Sequence, residues 1–190
     1  MPHVREIRVP ENNGIPNHPR LPALLCIAAL RTDGDLAERF EQAFRKNGWT
    51  GLWRWGMHPF HHFHSTAHEV LGVSVGSARI QIGGPDGPEV EVSPGDLILL
   101  PAGTGHRCVS HSSDFLVVGA YPPGQTADLL RANEDLEAAR QRIAAVTLPS
   151  ADPLFGHDGL LTARWEPNPH DETGPDRAAC GEDTSLQEDI

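Results

Sequence analysis

Residues 49–121 are written in short runs, each a few residues long, cut apart by clusters of Gly, Pro, Asp and Ser. Ala78, Ile80 and Ile82 alternate with Arg79 and Gln81, and Val90 and Val92 alternate with Glu89 and Glu91. A period of two marks a strand with one face on a core, because successive side chains point to opposite faces. The breaks fall at Gly83-Gly84-Pro85-Asp86-Gly87, Ser93-Pro94-Gly95-Asp96 and Ser112-Ser113-Asp114, all turn compositions. Many short strands at close spacing predict an antiparallel sandwich or barrel. The 19 Gly and 17 Pro among 190 residues point the same way, and this length suits one domain.

Helical patterns flank the strand-rich region. In 33–47, Asp33 or Asp35 can cap a helix whose Leu36, Phe40, Ala43 and Phe44 share one face, with Gly48 as its stop. A second helix is predicted over 126–145, where Leu129, Leu136 and Ile143 recur among charges before Pro149 and Asp152-Pro153. The apolar run 24–30 reads equally as a strand or a buried helical turn. Residues 1–20 read as an extended arm, 21–165 as one domain with its barrel core at about 49–121, and the segment 154–165 as a return over the barrel. Beyond it, 166–190 reads as a disordered acidic tail, since Asp171, Glu172, Asp176, Glu182, Asp183, Glu188 and Asp189 face only Arg177.

A formal net charge of −11, with no basic stripe, excludes a nucleic-acid partner. The N-terminus has no apolar signal core, and the longest apolar stretch is broken by Pro22, so no membrane span is expected. Cys26, Cys108 and Cys180 are odd in number and form no CxxC pair, which fits a reducing cytoplasm better than a disulfide framework.

Five of the 11 His fall between His58 and His68. His62 and His64 are two apart, so on a strand both imidazoles project from one face and can chelate a cation. A turn at Ser65-Thr66-Ala67 brings Glu69 back on the next strand. The stretch Gly95-Asp-Leu-Ile-Leu-Leu-Pro101-Ala-Gly103-Thr-Gly-His106 then runs through an apolar strand and a Gly-rich turn to His106, which a closing barrel can set opposite the first three. Imidazole and carboxylate together suit Fe, Mn, Ni or Zn.

These residues carry a family resemblance. Gly56, His62, His64, Glu69 and Gly76 match the first cupin motif at every spacing, and Gly95, Pro101, Gly103 and His106 match the second. The Asn that usually ends the second motif is Ser110 here, a change that touches no ligand. Segments 16–22, 47–51, 61–70 and 115–121 further resemble the small bacterial YjlB-like cupins, over about residues 15–165. The resemblance implies a mainly β double-stranded β-helix, the cupin jelly roll, with two flanking α-helices. It also implies a homodimer and one divalent metal ion held by His62, His64, Glu69 and His106.

His68 competes with Glu69 as the fourth ligand but points the other way on a strand. His58 and His61 are expected at the surface or behind the ligands, and His111 in solvent. Cys108 shares a strand face with His106 and reads as a small buried thiol. Trp53, Trp55, Phe60 and Phe63 read as packing residues, with one or two at the mouth of the barrel. No Ser-His-Asp or Cys-His arrangement, and no independent general base, can be assigned. Three imidazoles and a carboxylate leave coordination positions open and a site charge of about +1. The expected function is a mononuclear metal-binding cupin acting on a small anionic or enolisable ligand, as a dioxygenase or an isomerase or lyase. The alternative is a non-catalytic metal- or metabolite-binding cupin.

Overall fold

The computed structural model describes residues 3–157, 159 and 162–165. In chain order the strands are β1 (His3–Ile7), β2 (Ala23–Ile27), β3 (Thr50–Trp55), β4 (Glu69–Val75), β5 (Ala78–Ile82), β6 (Glu89–Val92), β7 (Leu97–Leu100), β8 (His106–His111) and β9 (Leu116–Tyr121). Helix α1 (Leu36–Lys46) follows β2, α2 (Leu136–Ala145) follows β9, and a 3-10 turn occupies Thr162–Arg164. One sheet has the order β1-β2-β7-β4-β9-β3 and the other the order β6-β5-β8, and every ladder is antiparallel. This is the mainly β jelly roll with two flanking helices that the motifs imply.

The alternating residues of the strands face one another between the sheets. Leu71 and Val73 of β4, Ile80 and Ile82 of β5, Val90 and Val92 of β6, Ile98 and Leu100 of β7, and Val117 of β9 make one buried cluster. The opposite parity of the larger sheet, including Val70, Leu97, Leu99, Val118 and Ala120, packs on Leu36, Phe40 and Phe44 of α1 and on Trp49. Strand β7 is therefore apolar at every position, since both its faces are covered. Burying each large side chain on this outer face contributes roughly 1.5–3 kcal/mol. The fit of α1 is close: a Cβ on Gly72 would lie 2.6 Å from the Phe40 ring.

Asp35 caps α1 by accepting a hydrogen bond from the Glu38 N–H at 3.0 Å. The run 24–30 resolves as strand β2. Two expectations change. Part of the expected N-terminal arm is strand β1, which pairs along β2 at the sheet edge. The second helix begins only at Leu136, ten residues later than its pattern suggests. Residues 126–135 instead form a strap, because Leu130 exchanges backbone hydrogen bonds with Phe63 and both Asn133 and Asp135 have positive φ. The returning segment does cover the barrel: Trp165 is buried on the α1 side and donates its indole N–H to the Pro22 carbonyl at 2.9 Å. The expected acidic tail at 166–190 and Cys180 lie outside the described residues. Among the described residues, no helix is long and apolar enough to cross a membrane.

Candidate metal centre

Strand parity decides which side chains meet at the barrel mouth. Glu69 opens β4 on the same face as Leu71 and Val73, so its carboxyl enters the interior. His68 has the opposite parity. Its ring packs 4.9 Å from that of Trp165 on the outer side, and its Nδ1 accepts the Ala102 N–H at 3.0 Å. Burial lowers its pKa to about 3, so it is a neutral packing group.

His106 opens β8, and His62 exchanges two backbone hydrogen bonds with it, at 3.2 and 3.0 Å. That bridge sets the two imidazoles against each other with centroids 4.1 Å apart. His64, two residues on from His62, brings its ring within 5.4 Å of His62 and 5.6 Å of His106. Phe63 between them turns to the opposite side and is fully buried with Ile15 and Ala139. The Gly103 N–H holds the His64 carbonyl at 2.7 Å; Gly103 has a φ of +87°, and a Cβ there would meet Ile143 at 2.6 Å.

All three imidazoles are oriented the same way. Nδ1 of His62 lies 3.2 Å from the Phe60 carbonyl, Nδ1 of His106 lies 3.0 Å from the Thr104 carbonyl, and Nδ1 of His64 meets the Asp128 carbonyl. A carbonyl can only accept, so each Nδ1 carries a proton, and in the neutral ring each Nε2 is the lone-pair donor. One ring nitrogen from each of these buried residues lies within 4.8 Å of the others, a spacing that can hold a metal ion.

Glu69 Oε2 sits 3.4 Å from Nε2 of His64 and 3.3 Å from Nε2 of His106. Both are ion-pair distances, though neither contact is well aligned as a hydrogen bond. Burial works to raise the Glu69 pKa, but the adjacent His64 and His106 hold it well below the usual carboxylate range. Burial likewise opposes charge on His64, yet the Glu69 carboxylate lifts its pKa to about 8. Burial, with His106 and His64 beside it, lowers His62 to about 2.

The cluster opens into a cavity of about 350 Å³ whose other walls include Trp53, Trp55, Met57, Leu71, Tyr121 and Leu129. The Tyr121 hydroxyl accepts the Trp53 indole N–H at 3.1 Å, and burial raises its pKa. Trp53 and Trp55 thus take the mouth positions, Phe63 is core, and Phe60 stacks on His58 at 4.7 Å. His58 also lines the cavity, against Trp55 and His62. His61 turns away; both its ring nitrogens are buried without hydrogen-bond partners, and burial, then Arg107, lowers its pKa. His111 is exposed. Cys108 packs in the inter-sheet core, where burial pushes its thiol pKa up.

Sequence reading missed the strap that braces His64. The Asp128 carboxylate accepts the Ser65 N–H at 2.6 Å and the Ser65 hydroxyl, and Arg142 of α2 donates to the Ser65 hydroxyl oxygen at 2.7 Å. These contacts are 63 and 77 residues apart in the chain, and no local motif announces them.

Comparison with known proteins shows the family. A family model described as a cupin domain matches residues 54–119. The chain is 40% identical to a Bacillus subtilis (strain 168) protein named "Uncharacterized protein YjlB", over 158 residues that cover 82% of this chain and 93% of that one. Among solved structures, it is similar to acireductone dioxygenase from Bacillus anthracis with a cadmium ion in its active centre. That match is 22% identical, covers 45% of this chain and 57% of the other, and has a TM-score of 0.32. Another is YcfD, a ribosomal oxygenase from Escherichia coli in complex with cobalt and succinic acid, 13% identical over 76% of this chain and 44% of that one, TM-score 0.33. The chain spans less than two thirds of the length of either solved chain.

Proposed function

The chain belongs to the cupins, in their small YjlB-like group, and on that footing we propose that it holds one divalent metal ion through His62, His64, Glu69 and His106 and acts as a small-molecule metalloenzyme of dioxygenase or isomerase/lyase type. The observation that carries this reading is the set of three buried imidazoles, His62, His64 and His106, whose ring nitrogens lie within 4.8 Å of one another, with the Glu69 carboxylate 3.3–3.4 Å from two of them. These imidazoles and the carboxylate, converging in a buried space, form a donor set that a divalent cation satisfies.

Three imidazoles and one carboxylate suit Fe, Mn, Ni or Zn. Bound there, such an ion supplies Lewis-acid chemistry, or one-electron chemistry if it is iron or manganese. The chain's own part is positional. Three backbone carbonyls fix the Nδ1 protons and so aim the Nε2 lone pairs. Trp53 and Leu71 limit water at the centre, and Tyr121 places a hydroxyl at the wall.

The test is elemental analysis of the untagged protein, purified without added metal, beside the His62→Ala/His106→Ala double variant. The expected result is close to one transition-metal ion per chain in the wild type and none in the variant. A wild type that stays metal-free after incubation with iron, manganese, nickel and zinc in turn overturns the metal centre. Turnover by the loaded wild type, lost in His64→Ala, separates an enzyme from a non-catalytic binder.

A further inference from the structure

We propose that the cavity is built for a compact molecule with a single anionic oxygen-donor end and an apolar, ring-sized body, and that it discriminates against dicarboxylates. This rests on the metal reading above. The three imidazoles and Glu69 converge at the floor, while the polar His58, Tyr121 and Asp128 are spread along the walls. The walls above it are Trp53, Trp55, Met57, Leu71 and Leu129. Trp55 and Leu129 are 55% and 46% exposed at the mouth, among the few large apolar side chains left to solvent. A ligand body laid between them removes that surface from water. The volume of about 350 Å³ has room for roughly a dozen water-sized groups, enough for one ring and a short acid arm.

The case against a second carboxylate is electrostatic. No Lys or Arg is among the residues lining the cavity. The Arg131 guanidinium is occupied 3.9 Å above the Phe60 ring and does not line the space. The charged side chains that do line it, Glu69 and Asp128, are acidic. A distal carboxylate would gain no cation from the walls, and Asp128 there is already paired with Arg142 at 3.9 Å. A single acidic end directed at the metal meets the one cationic point of the site, and His58 and Tyr121 line the wall for a second, uncharged oxygen.

The experiment uses the full chain loaded with cobalt(II), whose visible spectrum reports ligation, while the part of the indole fluorescence change that is lost in Trp55→Ala reports events at the mouth. Acetate, 3-phenylpropanoate and succinate are titrated in parallel. The expected order is 3-phenylpropanoate tighter than acetate by about tenfold or more, the worth of burying roughly two methylenes, with succinate no tighter than acetate. The Trp55→Ala/Leu129→Ala variant changes two exposed positions, so its fold and its cobalt spectrum are expected to persist while the advantage of the phenyl group falls at least severalfold. Succinate binding tighter than 3-phenylpropanoate overturns the inference, as does a preference that the double variant leaves unchanged. If wild-type protein gives no cobalt spectrum, the metal reading fails and takes this inference with it. If the spectrum forms and the preference is absent, this inference alone fails.

Discussion

At the scale of single residues, the orientation of His64 depends on a group with no sequence signal. Its Nδ1 proton is held by the Asp128 carbonyl, and Asp128 is in turn held by Ser65, which Arg142 braces. Ser65→Ala removes the hydroxyl from this chain of contacts. It is expected to weaken metal affinity about tenfold, as loss of outer support for a ligand does, while the urea midpoint of the metal-free protein moves by about 1 kcal/mol or less. Competition against a chromogenic chelator measures the first effect. His18 gives a different prediction. Its Nδ1 accepts the N–H groups of Arg20 at 3.2 Å and Leu21 at 2.9 Å, so a proton there would face two donors. Burial, with Arg20 nearby, lowers its pKa to about 4 against an unfolded value near 6.5. A depressed histidine stabilises the fold above pH 6.5, and that contribution is lost as pH falls through the folded value. The midpoint of urea unfolding is therefore expected to drop between pH 6.5 and 4, and less steeply in His18→Gln. The slope will not vanish, because His68 is held low in the same sense. Glu69 and His68 show what sequence could read at this scale. A period-two argument places one inside and the other outside, and the strand obeys it. His58 was harder, because its place in the cavity wall comes from stacking on Phe60 and Trp55 rather than from any spacing to the ligands.

At the scale of elements, legibility followed locality. Helix α1 was readable because its cap, its apolar face and its stop lie within one segment. Asp35→Ala is expected to cost about 1 kcal/mol, since only the cap is lost. Gly72→Ala tests the other side of the same contact. Its new Cβ would lie 2.6 Å from a fully buried Phe40 ring, so overpacking of about 1–3 kcal/mol is expected. Urea unfolding should rank Gly72→Ala as the more damaging of the two. The strands β5 and β6 were readable from alternation alone. The strap at 126–135 was not, because its apolar residues recur at helical spacing while its backbone partner, Phe63, is far away in the chain. Long-range hydrogen bonds overrode local propensity there. Strand β1 was hidden for a related reason. It is a polar edge strand, with only Ile7 buried, and an edge strand carries little hydrophobic pattern of its own.

At the scale of the whole molecule, the candidate centre is a junction between the two sheets. Glu69 comes from β4 of the larger sheet, His106 from β8 of the smaller one, and His62 and His64 from the segment that bridges to β8. An ion held by all four would cross-link the layers at the open end of the barrel, above Leu71 of the inter-sheet core. Its binding energy is then folding energy, because the unfolded chain cannot assemble the same four donors. At 100 times the dissociation constant the gain is about 2.7 kcal/mol, which for a chain of this size raises the melting temperature by about 5–10 °C. The expected result is a melting curve that shifts upward with added zinc or cobalt, falls back with chelator, and does not respond in the His62→Ala/His106→Ala variant. Amide exchange should localise the effect. Beyond the global gain shared by the slowest-exchanging core amides, protection should rise most in the backbone around His62, Glu69 and His106, whose local openings the ion suppresses. A melting shift that survives in the double variant would mean that the ion binds elsewhere and that the sheets are joined at this end by packing alone.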